Sequence, residues 1–445
     1  MNEFDGDVYR KNDDGYEAAR CAAVWNGIKP DRYPSVVVVA ESRRDVVTAV
    51  ELAQVEGLTI GIQSGGHSWV GNAVRDDGLL LDLSRLKAIE IDTASGIASF
   101  EPGVHVDELA EALAAEGYYF PVGHCPSVGV TGLVLGGGFG MNSAEVGMAA
   151  YSVTGVDVIT AEGREIYAND EQHADLMWAV RGSGPGFFAV ITRVYVTLRP
   201  MPAVIAASMQ IHPMSSYDDF MAWYVDAGYP GQLVIGAVPA MGIDDKVLMI
   251  VNYAFTNTLA EARDRLAVLE TAPHLDHTLT HSVAQPTTIP QLYGIFDQLY
   301  PEGWRYLSDN VWIDDVRAPG LWETTRSIVD SFPTQRSSVW VLSASVPHRH
   351  PNAAYSIFPE ISVQVYAAYE DGDRDEEMRS WHRRSIDTIE PFSIGAGYVG
   401  DSSLFDRPMA IISPTSAVRL EQLRAKYDPE GRFFAYPTPL PAARL

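Results

Sequence analysis

The stretch GIQSGGHS at residues 61–68 continues an apolar run, LTIGI, into a glycine turn that carries a histidine. Farther along, GHCPSVGVTGLVLGGGFG at 123–140 is a second glycine-rich run holding Cys125, one of two cysteines in the chain. A third turn, RGSGPGFF, occupies 181–188. Neither histidine nor cysteine eases a turn. Glycine lacks the Cβ that keeps a ligand off the backbone, so two such loops, each with a reactive side chain, predict something held between them.

The surroundings place these loops in a fold. PSVVVVAES (34–42) reads as a buried strand and RDVVTAVELAQVEGL (44–58) as a helix stopped by Gly57; LTIGIQSGGH then makes a second strand. The first loop thus lies at the carboxyl end of a strand–helix–strand unit, where ligands of mixed layers sit. Residues 78–106 alternate in short segments broken by Ser, Gly and Pro, and 106–118 return to a helix ended by Gly117. Two strands around Glu162 and Gly163 follow in 151–170; then a helix, the third turn and a long strand fill 173–200. Pro200 and Pro202 mark a boundary. From 201 to 400 aromatics multiply, helices are expected at 259–270 and 375–392, and VLMIVNYAF and SVWVLSASV alternate like strands. That texture predicts a sheet covered by helices on one face and lined by aromatics on the other. A last helix in 416–434 stops at Asp428 and Pro429.

The 445 residues exceed what one core supports, and 47% apolar with 20% charged residues is ordinary for a globular chain. A formal net charge of −26 argues against nucleic acid or an anionic membrane as partner. The N-terminal MNEFDGDVYRKNDDGYEAAR has no apolar leader and no stretch approaches about 20 apolar residues, so a cytoplasmic protein is expected. Cys21 and Cys125 are too few for a disulfide framework, and no Cys/His spacing suggests a metal site. His348 and His350 read as a solvated turn, His105 as a helix cap or core residue, and the acids of 370–380 as a solvated helix start. The glycine turns match neither the strict dinucleotide fingerprint nor the GKS/T phosphate loop.

Taken in order, GIQSGGHSWVGN, PVGHCPSVGVTGLVLGGGFG, LMWAVRGSGPGFFAVITRVYVTLRP and KYDPEGRFF resemble the berberine-bridge-enzyme-like flavoproteins, FAD-linked oxidases of the vanillyl-alcohol-oxidase class. The likeness covers about 30–200 and the last 50 or so residues. It implies an α+β fold in which a two-part PCMH-type FAD-binding domain, 1–200 and 401–445, encloses an inserted substrate domain, 201–400. It further implies FAD bonded twice, to His67 and to Cys125. Ser64, Gly65, Gly66, Ser68 and Gly71 of the first loop would bind the same cofactor. So would Gly129, Thr131, Gly132, Gly136, Gly137, Gly138 and Gly140 of the second, with Phe188 and Val190 after the third. Val128, three residues past the cysteine, falls at the family's oxygen-access position and is the residue type of oxygen-reactive members. His124 beside Cys125 is a candidate cation to stabilise its thiolate.

The departures from the family pattern concern the base. Where relatives commonly carry tyrosines this chain has Trp69, Phe139 and Ile412, none of which takes a proton. Gln364 resembles the family's substrate-side glutamine, Tyr398 a tyrosine of its YVNY segment, and Tyr366 shares a strand face with Gln364. These three are the catalytic candidates. The expected activity is an FAD-dependent oxidase that removes hydride from a small organic substrate, a specialised metabolite or alcohol, with O2 as acceptor. The alternative is a flavin-dependent oxygenase or redox-neutral cyclase on the same scaffold. The sequence leaves the oligomeric state open.

Overall fold

The computed structural model describes residues 3–121, 123–346, 348–436 and 441–443, with 295–297 described by backbone alone. It mixes helices with one partly parallel sheet and further antiparallel sheets in two units. The first comprises Met1–Met201, His348–Ile357 and Leu404–Ala442; the second comprises Pro202–Pro347, Phe358–Ser403 and Ala443–Leu445.

In the first unit, Val36–Val39 and Ile60–Gln63 both run parallel to Leu79–Asp82, which lies between them, and Asp7–Arg10 closes one edge antiparallel. The strand–helix–strand unit exists in chain order, but its two strands are not neighbours. The LLLD strand, buried throughout, takes the central place where both its faces are covered. Helix Arg43–Glu56 begins at Ser42, whose Oγ accepts from Asp45 N while Asp45 Oδ2 accepts from Ser42 N, both at 3.2 Å. It ends at Gly57, whose φ of 68° is a left-handed stop. A second sheet is antiparallel throughout, in the order Ile89–Asp92, Ile97–Phe100, Val190–Thr197, Val153–Ile159, Glu165–Asn169. The chain's end returns to this unit: Ile60 N donates to Arg432 O at 2.7 Å and buries Phe433 among the parallel strands.

The second unit is built on seven strands, in the order Thr280–Thr287, Val204–Pro213, Ile243–Thr256, Gln232–Val238, Ser338–Ser343, Ile361–Tyr369, Arg305–Ile313, each antiparallel to its neighbours. Period two sorts their side chains. Val363, Val365, Val339, Val341 and Val311 join helices Tyr217–Asp226, Leu321–Asp330 and Asp375–Ile389 in one core. Gln364, Tyr366, Trp340, Trp312 and Asn310 alternate with them and take the other face. The aromatic lining expected of this sheet is therefore present. Of the two helices expected here, the second begins at Asp375 and the first is shorter than read, Leu259–Leu266, tightening into a 3-10 turn over Ala267–Thr271. Among the described residues no helix is long and apolar enough to cross a membrane.

Candidate functional site

The first two glycine loops meet. A Cβ on Gly65 would lie 2.4 Å from Gly129 N and 2.5 Å from Gly129 Cα, so only paired glycines permit this backbone-to-backbone approach. Beside that contact His67 Nε2 lies 2.9 Å from Ser127 Oγ, and its ring stacks on Trp25 with centroids 4.7 Å apart. The second loop is seated on helix Val106–Ala115: Val106 N donates to Val128 O at 2.9 Å, Asp107 N to Pro126 O at 3.1 Å, and Val130 N to Val104 O at 3.0 Å. Backbone bonds thus hold the stretch carrying Cys125, Ser127 and Val128 beside His67. Cys125 and Val128 are themselves partly exposed.

Burial, helped by the positive potential of His105, pushes the His67 imidazole down to about 3, so at neutral pH it is uncharged. His124 is pushed down to about 4 by loss of solvent. The cation expected there is absent at neutral pH, because desolvation disfavours the charged ring and leaves a neutral imidazole next to Cys125. His105 occupies the N-cap of helix Val106–Ala115. It lies close to Asp107 and Glu108, but Glu108 is spent on Lys87 Nζ at 2.7 Å and on His105 N at 2.8 Å.

The rest of the second loop and the third are joined by a segment the sequence had placed in the middle domain. Gly137 and Gly138 have φ of 96° and 79°, and the space of a Cβ on Gly137 is taken by the ring of Tyr355, 2.7 Å away. Gly182, φ 105°, is likewise pressed against Tyr355, and Phe139 meets that ring edge-on at 6.2 Å. The segment His348–Ile357 is pinned by Arg181, 1% exposed, which donates to both oxygens of Asp170 at 2.7 Å and to Asn352 O at 3.0 Å. His350, expected in a solvated turn, packs on Tyr151 at 5.6 Å.

Ser64 lies against the same junction, its Oγ 3.4 Å from where a Gly129 Cβ would be and 3.8 Å from a Gly132 Cβ. Gly66 and Gly71 adopt φ of 69° and 58°; Ser68 Oγ accepts from Asn72 N at 3.1 Å, closing the loop. Gly136 caps the short helix Val130–Leu135 and Gly140 presses on Pro121. Phe188 and Val190 are fully buried, Phe188 stacked on Tyr427 and Val190 paired with Ile159 in the antiparallel sheet. Trp69 leans edge-on against Trp25, and Ile412 is buried.

The residues present fit FAD on two counts. Two loop backbones approach so closely that no side chain intervenes, as a flat ring system and a diphosphate require. Next to or within each glycine turn is a buried oxygen with no hydrogen-bond partner among the described residues: Gln63 Oε1, Thr131 Oγ1 and Ser183 Oγ. Buried polar atoms are rarely left unpaired, so a polar ligand is called for.

The second unit gathers the other candidates. On the aromatic face Gln364 is flanked across the strands by Trp340 and Asn310, and Tyr366 by Ser338 and Ser308. Tyr366 Oη donates to Gln364 Oε1 at 2.9 Å; Gln364 Nε2 donates to Asp401 Oδ2 at 3.3 Å. Burial and the negative charge of Asp401 raise the Tyr366 phenol well above its ordinary value. In this network its hydroxyl donates to Gln364. Asn310, fully buried, locks the segment after the last helix: its Oδ1 accepts from Tyr398 N at 2.7 Å, and its Nδ2 donates to Tyr398 O at 2.9 Å and Asp401 O at 2.8 Å. Tyr398 is thus set beside the Gln364 network through its backbone, and its ring is 8% exposed. Sequence reasoning missed Asn310 and Asp401. For Asp401 the signal was available in GYVGDSS, where an acid stands just past the tyrosine already singled out.

Residues 34–169 match the model of the FAD binding domain. The FAD-linked oxidoreductase ptmO of Penicillium ochrochloron is 32% identical over 426 residues, 94% of this chain and 93% of that protein. The 6-hydroxy-D-nicotine oxidase of Arthrobacter nicotinovorans superposes with a TM-score of 0.84 at 25% identity, covering 98% of each chain. A berberine-bridge-enzyme-like protein of Physcomitrella patens, 17% identical over 98% of this chain and 97% of its own, shares the fold at a TM-score of 0.82. With the paired glycine loops and the unpaired buried oxygens, these likenesses establish that the chain belongs to the FAD-linked oxidoreductases of the PCMH-type fold.

Proposed function

We propose that the protein is an oxidase that carries FAD on two covalent links, through His67 and Cys125, and passes the electrons of a small organic substrate to O2. When bound, FAD supplies a two-electron acceptor for a hydride from carbon. The observation that carries this reading is the junction of the first two loops, with Gly65 against Gly129 and His67 Nε2 2.9 Å from Ser127 Oγ. It sets a neutral imidazole beside the loop that bears Cys125. Ser64, Gly66, Ser68, Gly71, Thr131, Gly132 and the glycines of 136–140 would line the same cofactor, with the backbone at Phe188 and Val190. Val128 would govern access of O2. The substrate would be held by the second unit, where Gln364 offers an amide and the aromatic face excludes water. The name of the solved relative, an oxidase, supports O2 as acceptor.

The test is to reduce the flavin-loaded protein by light without oxygen, then admit air and measure peroxide. Rapid reoxidation with stoichiometric peroxide supports the reading; slow reoxidation, or product without peroxide, would replace it with a dehydrogenase or an oxygenase.

A further inference from the structure

Trp69, Phe139 and Ile412 cannot accept protons, and a phenol accepts one only after losing its own, so the group best suited at neutral pH is one already ionised there, a carboxylate. The Gln364 network ends on one. Tyr366 Oη donates to Gln364 Oε1, which fixes the amide so that Nε2 faces outward and donates to Asp401 Oδ2 at 3.3 Å. Tyr366 also hydrogen-bonds Asp401 directly, so the carboxylate is engaged by both members of the network. Its backbone is immobilised as well: Asp401 O accepts from Asn310 Nδ2 at 2.8 Å and from Ser308 Oγ at 3.4 Å. Tyr366 is 5% exposed, Gln364 4% and Asn310 fully buried, whereas Asp401 is partly exposed. The acid is therefore the least buried member of the network.

We propose that Asp401 is the proton acceptor of the reaction, with Gln364 and Tyr366 as residues that position it. This rests on the oxidase reading. The carboxylate takes the proton of a substrate O–H or N–H and becomes a carboxylic acid; the electron pair of the broken bond stays on the heteroatom. The acid returns that proton to solvent after turnover. The electrons removed from the substrate go to the acceptor named above, so no further reagent is needed. Substrates of this site are accordingly alcohols or amines with a hydrogen on the heteroatom. Among the described residues the titratable groups around Asp401 include Tyr366, on which Tyr300 packs at 5.8 Å; Asp309, on the strand that anchors Asp401, accepts from Ser403 Oγ at 2.8 Å.

The experiment uses phenol and 4-nitrophenol as acidic O–H probes, with binding to the full chain measured by equilibrium dialysis below the probes' own ionisation. A charged acceptor strengthens a hydrogen bond enough for about tenfold in affinity. The wild type is expected to bind 4-nitrophenol about tenfold more tightly than D401N, to prefer it over phenol, and to lose that preference as pH falls and the carboxylate protonates. Y366F should weaken binding while keeping the pH dependence, since the acceptor survives but its positioning is loosened. Equal affinity in wild type and D401N, a preference independent of pH, or no binding to the wild type would each overturn the proposal. Should D401N fail to fold, the wild-type pH dependence alone decides. The readout does not use the flavin, so a protein that purifies without flavin refutes the oxidase reading separately.

Discussion

Gly65→Ala is the sharpest perturbation of the loop junction. The new methyl would lie 2.4 Å from Gly129 N and 2.5 Å from Gly129 Cα, against about 3.4 Å for ordinary contact. The loops must part by about 1 Å, and because the atoms opposed are backbone, no side-chain rotation relieves the clash. Overpacking of this kind costs roughly 1–3 kcal/mol. For a unit of this size each kcal/mol lowers the melting temperature by roughly 2–4 °C, which gives a fall of about 2–12 °C. The same 1 Å would separate His67 from Ser127, so FAD content per chain should drop with stability. Gly294→Ala is the control: it lies in helix Ile289–Leu299 outside the loops, nothing lies within 4 Å of where its Cβ would be, and a helical alanine in place of glycine is worth about 0.5–1 kcal/mol in favour. Melting followed by fluorescence and FAD content by absorbance read both variants. If Gly65→Ala melts and loads like the wild type, or Gly294→Ala is as damaged, the paired-glycine junction is not what joins the loops.

Other consequences can be checked by mutation and pH. His67 and His124 titrate in the fold near 3 and 4 against 6.5 unfolded, so the unfolded chain binds more protons; their contribution is complete above pH 6.5 and drains as pH falls towards 4. FAD-free protein should therefore lose stability through that window in denaturant titrations, and H67Q with H124Q should flatten the loss. Asp170 is held near 2 by Arg181, with help from Asn352, so its contribution is full above about pH 4 and is lost as pH falls towards 2; D170N should remove that acid-side slope. Tyr355→Ala should cost about 3–5 kcal/mol, as expected when a large buried ring is deleted, while Tyr355→Phe keeps the ring on Gly137 and costs far less.

Local chemistry was legible in the sequence; long-range pairing was not. Ser42, Asp45 and Gly57 announce a helix because caps act within a few residues, and the glycines at positive φ announce turns because other residues pay to adopt them. Period two put Tyr366 and Gln364 on one face before any strand order was known. Nothing local reveals that Leu79–Asp82 would slip between two strands of an apparent unit, since strand order depends on which faces are covered, not on the strand's own residues. The return of His348–Ile357 to the first unit was equally hidden, because its anchor Arg181 lies 171 positions away from Asn352. Asp401 joins the site only through Gln364 and Asn310, 37 and 91 positions away. The charge assigned to His124 failed for a different reason: its sequence position says nothing of the desolvation that neutralises it.

The double attachment of FAD through His67 and Cys125 is tested most directly by the mass and visible absorbance of acid-denatured protein. The wild type and each single variant, H67A and C125A, should retain flavin mass on the chain, and only the double variant should release it. Flavin that washes away from the denatured wild type, or stays on the double variant, contradicts the assignment.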